Sequence, residues 1–426
     1  MRVLIVNTSE RAGGAAVAAG RLMAALNNNG VKAKMLVRDR TTDDVSVVSL
    51  RRTPLLRWHF LWERLVIFCR LHFKRQHLFD IDIANSGTDI TRLPEFQEAD
   101  VVHLHWVNQG MLSLGCIRKI VLSGKPVVWT MHDIWPATAV CHLTLGCQQF
   151  TSSCTRCQYL SGGASQKTTR LAQRVWQRKQ AVLAQGNIVF VACSRWLEGE
   201  ARRSALLRGM KVTSIPNAID TRTFRPGKAQ EARQLLGLPQ NKLLLLFVCQ
   251  RVTNANKGMS YLAEACRKLA GDHPELGERL GLVLLGGHAD EVSAELPFAT
   301  YPLGYVSDEA RIVSVYQAAD VFVLPSLSEN LPNTIMEAMA CGLPCIGFRV
   351  GGIPEEIDHR KNGYVAEYRN SDDLARGIYW TLCEADRAAL SAAAVKKVAH
   401  SYSQSSVALQ YSELYQELLA QKHFKL

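Results

Sequence analysis

Short apolar runs rich in β-branched residues recur along the chain, each followed by a stretch in which apolar positions return every three to four residues. The first pattern predicts strands buried on both faces and the second predicts helices that cover them. Strands are predicted at Arg2–Asn7, Lys32–Val37, Asp100–Trp106, Pro126–Met131, Asn187–Ser194 and Lys211–Ile215. The alternation restarts at Leu243–Gln250 and continues through Leu282–Gly286, Asp320–Pro325 and Pro344–Phe348. Strands alternating with helices in this way predict two α/β domains, each a doubly wound parallel sheet. Pro216-Asn217-Ala218-Ile219-Asp220 and the nearby Pro226-Gly227 read as the hinge, which gives domains over 1–216 and 217–400 and a final helical segment over 401–426.

Three of the predicted strand-to-helix turns carry residues with chemistry to offer. Asp320–Pro325 runs into SLSENLPNTIMEAMACGLP, where Glu329 lies in the loop and Glu337 lies in a helix opening at Pro332 and closing at Gly342. At about 3.6 residues per turn, Glu337 faces back toward the strand ends, where open α/β sheets bind ligands. Taken alone, the pair also fits a helix-capping acid followed by a solvated one. After Leu243–Gln250, Arg251 and Lys257 stand six apart in a loop leading to a helix, a forked donor and a compact charge suited to a diphosphate. After the first strand, Ser9-Glu10-Arg11-Ala12-Gly13-Gly14 lets backbone amides at a helix start approach a ligand closely, without being a GxGxxG motif.

Composition narrows the class. With 426 residues and 47% apolar content, the chain has ample material for globular cores. The net charge of +12 is compatible with nucleic acid, anionic lipid or phosphorylated small molecules and does not choose among them. Met1–Asn7 is too short for a signal peptide, and no run reaches the ~18 apolar residues of a membrane span, so a cytoplasmic protein is expected. Of the twelve cysteines, Cys69, Cys249 and Cys345 sit in apolar contexts where a buried thiol is the default.

In chain order, Gly13-Gly14, His132, Arg251 and Lys257, Gly304-Tyr305, Pro325-Ser326, Glu329-Asn330-Leu331-Pro332, Glu337 through Pro344 and Gly351-Gly352 resemble the motifs of retaining family 4 glycosyltransferases. The resemblance covers nearly the whole chain and is most specific over 302–365. It implies the GT-B fold, two Rossmann-like domains facing across a cleft, with the acceptor in the first, the sugar nucleotide in the second, and Tyr402–Gln421 crossing back to the first. By position, Glu337 would hold the ribose hydroxyls, and Glu329 with the backbone of Asn330 and Leu331 the donor sugar. Arg251 and Lys257 would hold the diphosphate, the amides of Gly13 and Gly14 would complete the phosphate cradle, Tyr305 would sit near the base, and His132 would touch the sugar near its reacting carbon.

The resemblance further implies retention of configuration. The acceptor hydroxyl attacks the face from which the diphosphate leaves, the departing phosphate takes the proton, and no protein nucleophile or catalytic metal is needed. Asp80-Ile81-Asp82 reads as an ordinary loop. Directly after His132-Asp133-Ile134-Trp135, Cys141, Cys147, Cys154 and Cys157 form a cluster that suits a structural zinc, with two disulfides or four free thiols as alternatives. Similar HDxW segments followed by cysteines occur in relatives that assemble polysaccharides, which points to a glycan or lipid-linked acceptor. Pro54–Arg75 interleaves Trp58, Phe60, Trp62, Phe68 and Phe73 with Arg57, Arg64, Arg70, Lys74 and Arg75, either as an interfacial helix on anionic membrane or as an ordinary core-facing one. A zinc-dependent nucleic-acid-binding protein would leave the second α/β half unexplained, so no nucleic-acid partner is expected. A nucleotide-sugar epimerase or an inactive scaffold of the same fold are the remaining alternatives.

Overall fold

The structure is a computed structural model that describes residues 1–51, 53–160 and 169–423. The chain forms two compact units, one of Met1–Ala218 joined by the segment from Val407 onward, the other of Ile219–Ser406.

The first unit holds seven parallel strands: β1 Arg2–Ser9, β2 Lys32–Asp39, β3 Val47–Ser49, β4 Val101–Leu104, β5 Val127–Met131, β6 Ile188–Ala192 and β7 Val212–Ser214. Their order is β3-β2-β1-β4-β5-β6-β7, with Ile5 of β1 in register with Met35 on one side and His103 on the other. β4, β5 and β6 are buried along their whole length, which is why each reads as an unbroken apolar run. Alternate residues feed opposite faces. Leu4, Val6, Val102, Leu104 and Trp129 enter one core, while Val3, Ile5, Val101, Val128 and Val191 enter the other. The second core is completed by Val407, Ala408, Tyr411, Leu414, Tyr415 and Leu418 of the last helix, Gln404–His423, at the spacing of one apolar helical stripe.

The second unit holds six parallel strands: β8 Leu243–Arg251, β9 Leu280–Gly287, β10 Ala299–Gly304, β11 Val321–Leu324, β12 Cys345–Phe348 and β13 Gly363–Ala366, in the order β10-β9-β8-β11-β12-β13. Three strands were not among those predicted. β3 is three residues long, β10 carries Pro302 and exposed positions as edge strands do, and β13, at the opposite edge, is a short run that opens on Gly363. Pro332 is the cap residue of the helix Asn333–Ala340 rather than its first turn. No helix among the described residues is long and apolar enough to cross a membrane.

Candidate functional site

In the second unit the strand order reverses between β8 and β11, and ligands of open α/β sheets bind outside the strand ends at such a switch point. The loop after β8 supplies Lys257 and the loop after β11 supplies Glu329, and the two form an ion pair across the switch point. Asn256 Nδ2 donates to the Ser328 carbonyl at 2.9 Å, and Leu327 N donates back to the Asn256 carbonyl at 2.8 Å, fixing the two loops together. Glu337, on the helix Asn333–Ala340, is buried and accepts a 2.8 Å hydrogen bond from Tyr316 Oη, so it is neither solvated nor loosely held. Arg251 reaches His288 Nε2 at 3.2 Å, and His288, held at φ 66° in the left-handed region, pairs with Glu291 at 2.6 Å. Leu331 is buried, whereas Tyr305, just past the end of β10, is 65% exposed. The structure therefore brings Lys257 and Glu329 together and anchors Glu337 and Arg251 through Tyr316 and His288, two partners that no sequence spacing reveals.

Two glycines set how closely these loops approach. A Cβ at Gly258 would stand 1.8 Å from the Pro325 carbonyl oxygen, and one at Gly351 would stand 1.7 Å from that of Glu329. Both have positive φ, +74° and +56°. Gly351→Ala is thus expected to push the Glu329 loop off its seat and lower stability by about 1–3 kcal/mol, as overpacking does. Thermal unfolding checks it, and a melting temperature equal to wild type would show that the loops part freely. Below this site Glu356 is fully buried and lacks a hydrogen-bond partner at either carboxyl oxygen; burial first, then the nearby Glu329, pushes its pKa well up.

In the first unit the strand order reverses between β1 and β4. Gly13 stands there at φ 90°, capping the helix Gly14–Asn28 with open space where a side chain would be. His132 follows β5, and its Nε2 lies 2.9 Å from Nδ1 of the buried His105, just past β4. Burial draws His132 down to about 4, against the opposing pull of Asp133.

Asp133 is the centre of a charge network missed in the sequence. His142 bridges two acids, with Nδ1 at 2.7 Å from Asp133 and Nε2 at 2.6 Å from Asp82, and Asp82 also pairs with the buried Arg64. Trp106 Nε1 donates to Asp133 at 3.0 Å. Burial alone would deprotonate His142, yet the two carboxylates push it up to about 10. Burial would raise Asp133, but His142 and the Trp106 and Trp135 N–H donors hold it below the usual carboxylate range. Asp82 is therefore a fully buried structural charge and not part of an ordinary loop. Arg64 is likewise withdrawn from any surface role.

Cys141, Cys147, Cys154 and Cys157 are free thiols, and burial pushes those of Cys141, Cys154 and Cys157 up. Among the described residues no group of three or more His, Cys, Asp or Glu side chains is arranged to hold a metal ion. The segment is tied in by His142 and by buried Lys179, whose ammonium donates to the Trp135 and Thr138 carbonyls at 2.6 and 3.0 Å and lies 3.2 Å from the Trp135 ring centre. Cys69, expected to be buried, is exposed, whereas Cys249 and Cys345 are buried.

The helix Pro54–Arg70 turns a mixed polar and apolar stripe inward and leaves much of its apolar surface outward. It buries Glu63 and Arg64 beside Leu56 and Ile67, while Leu55, Trp58, Leu61, Trp62 and Leu65 are exposed, with Trp58 and Trp62 stacked at 5.9 Å.

Residues 12–223 match the family described as Glycosyltransferase Family 4 and residues 242–384 match Glycosyl transferases group 1. Similar curated proteins include a D-inositol 3-phosphate glycosyltransferase 2 from Catenulispora acidiphila, 30% identical with 39% of this chain and 42% of that protein covered. Another is the D-inositol 3-phosphate glycosyltransferase of Acidothermus cellulolyticus, 28% identical with 63% and 56% covered. The chain spans about half the length of the curated relatives it matches. Among solved structures, sucrose-phosphate synthase from Thermosynechococcus elongatus aligns with TM-score 0.66 at 19% identity over 98% of this chain and 99% of that one. Anabaena Alr3699/HepE in complex with UDP-glucose aligns with TM-score 0.63 at 17% identity, covering 98% and 100%. WaaG, a glycosyltransferase involved in lipopolysaccharide biosynthesis, aligns with TM-score 0.61 at 14% identity, covering 97% and 99%. With two parallel-sheet units, and with family matches on both, the chain belongs to the group 1 and family 4 glycosyltransferases of the GT-B fold.

Proposed function

We propose that the protein transfers a sugar, with retention of configuration, from a UDP-sugar to a hydroxyl of a glycan or lipid-linked glycan acceptor in polysaccharide assembly. The observation that carries this reading is the Lys257–Glu329 pair at the β8/β11 switch point, with Arg251 at the end of β8 and Glu337 on the following helix. Lys257 and Arg251 offset the charge that grows on the diphosphate as the glycosidic bond breaks. Glu329, already committed to Lys257, binds sugar hydroxyls rather than acting as a free base. Glu337 accepts hydrogen bonds from the ribose diol. The acceptor proton passes to the departing phosphate, so positioning and charge stabilisation supply the catalysis and no metal takes part. UDP is favoured because the aligned Anabaena protein was solved with UDP and with UDP-glucose. The relatives named for D-inositol 3-phosphate favour a second acceptor class, a small phosphorylated polyol. Binding and turnover with UDP-, GDP- and ADP-sugars, with a lipid-linked glycan and with an inositol phosphate as acceptors, tests both readings. Failure to bind any sugar nucleotide would overturn them together.

The outward face of Pro54–Arg70 supports peripheral attachment to an anionic membrane surface. Stacked, exposed indoles, with Arg57, Arg70, Lys74 and Arg75 also exposed, combine the two forces such attachment uses. Vesicles containing anionic lipid are expected to bind the protein, more weakly as salt rises, and Trp58→Ser with Trp62→Ser to weaken binding roughly tenfold or more by the loss of apolar contact. Equal partition with neutral and anionic vesicles in a flotation assay would remove the membrane from the reading.

A further inference from the structure

Val101, His103 and His105 alternate along β4 and its extension, and Val128, Thr130 and His132 alternate along β5, so the three histidines share the sheet side on which the C-terminal helix packs. Tyr415 Oη meets His103 Nδ1 at 2.6 Å, His103 Nε2 meets Thr130 Oγ1 at 2.7 Å, and Thr130 Oγ1 meets Tyr411 Oη at 2.8 Å. The His103 and His105 rings lie 4.3 Å apart, and His105 Nδ1 lies 2.9 Å from His132 Nε2. Nδ1 of His132 faces Cys193 Sγ at 3.5 Å.

His105 Nε2 is buried without a hydrogen-bond partner. A neutral imidazole carries one proton, and a buried N–H left unmet is rarer than an unmet acceptor. The proton of His105 therefore belongs on Nδ1, donated to His132 Nε2, which leaves the proton of His132 on Nδ1 toward the sulfur. Burial keeps His103, His105 and His132 all neutral near pH 7.

We propose that His105 is a positioning residue for His132, fixing it as the Nδ1–H tautomer in one ring orientation, with Tyr411 and Tyr415 of the C-terminal helix bracing the inner end of the stack. With its Nε2 lone pair engaged, His132 is no general base, and it presents a fixed, uncharged ring at the end of β5. This deepens the transferase reading and rests on it.

The test uses the full chain with 15N-labelled histidine, His132 being assigned by the signal lost in His132→Gln. Wild type is expected to show the Nδ1–H pattern for His132. His105→Leu is expected to change that pattern and lower kcat about 10- to 100-fold, the size seen when the outer partner of a metal-ligating histidine is removed, with donor KM nearly unchanged. His105→Asn, whose amide N–H reaches the Nδ1 position, is expected to restore both. The wild-type pattern alone provides a readout should His105→Leu fail to fold, since an Nε2–H form of His132 would contradict the hydrogen bond from His105. An Nε2–H form of His132 in wild type, a His132 tautomer unchanged in His105→Leu, or an Asn variant no better than Leu overturns the proposal. Should no sugar nucleotide be turned over, the transferase reading falls, and the tautomer comparison still decides the role of His105.

Discussion

Glu337→Ala is expected to weaken donor binding by roughly 10- to 150-fold, the loss of a charge-assisted hydrogen bond worth about 1.5–3 kcal/mol. Lys257→Ala is expected to act on a different quantity, lowering turnover by about 10²–10³ while reducing affinity less, because its charge matters most when the diphosphate is leaving. The contrast follows from placement. Glu337 is fixed by Tyr316, whereas Lys257 is paired with Glu329 and, in the proposed reaction, would share its charge between that carboxylate and the phosphate. Calorimetric titration with UDP-glucose and steady-state kinetics separate the two effects. Unaltered titration of Glu337→Ala would sink the ribose assignment, and a purely KM-type Lys257→Ala would move that lysine from catalysis to uniform binding.

His142→Leu is expected to be strongly destabilising to the first unit. It takes the shared cation from Asp82 and Asp133, leaving Asp82 with Arg64 and Asp133 with N–H donors only, and removing one partner of a buried ion network costs about 3–5 kcal/mol, roughly 10 °C in melting temperature for a unit of this size. The pH dependence has a definite sign. His142 rises from 6.5 to about 10 on folding, so its contribution is complete below pH 6.5 and disappears as pH climbs toward 10. Asp133 is held below 3.8, so its contribution is complete above that value and disappears as pH falls beneath it. Wild type should therefore lose stability between pH 6.5 and 10 and His142→Leu should not. Parallel melting curves for the two proteins across that range would remove His142 from the network.

What the sequence disclosed and what it hid divide along physical lines. β4, β5, β6 and β8 were legible because burial on both faces leaves an apolar run that nothing else explains. β10 was hidden because an edge strand needs no such run. Glu337 and Glu329 were legible as a spaced pair on a strand-to-helix turn. Their partners were hidden, since the Lys257–Glu329 pair joins loops after β8 and β11, and Tyr316 meets Glu337 from a different helix. Arg64 shows the same limit in reverse: within an aromatic and basic stretch it read as a surface cation, yet Asp82 and the Leu78 carbonyl claim it inside the fold.

The last helix also orders events in time. Val407, Tyr411 and Tyr415 cover a face of the first sheet, yet all of Ile219–Ser406 is translated before them. Domains generally fold as they emerge, the N-terminal one first. Here the first sheet emerges with one flank uncovered, its buried His103 and Thr130 lacking their tyrosine partners, and it must wait for the second unit to be made. The nascent protein thus carries an exposed apolar flank through the synthesis of the whole second unit, and the first core closes only after that unit has been made.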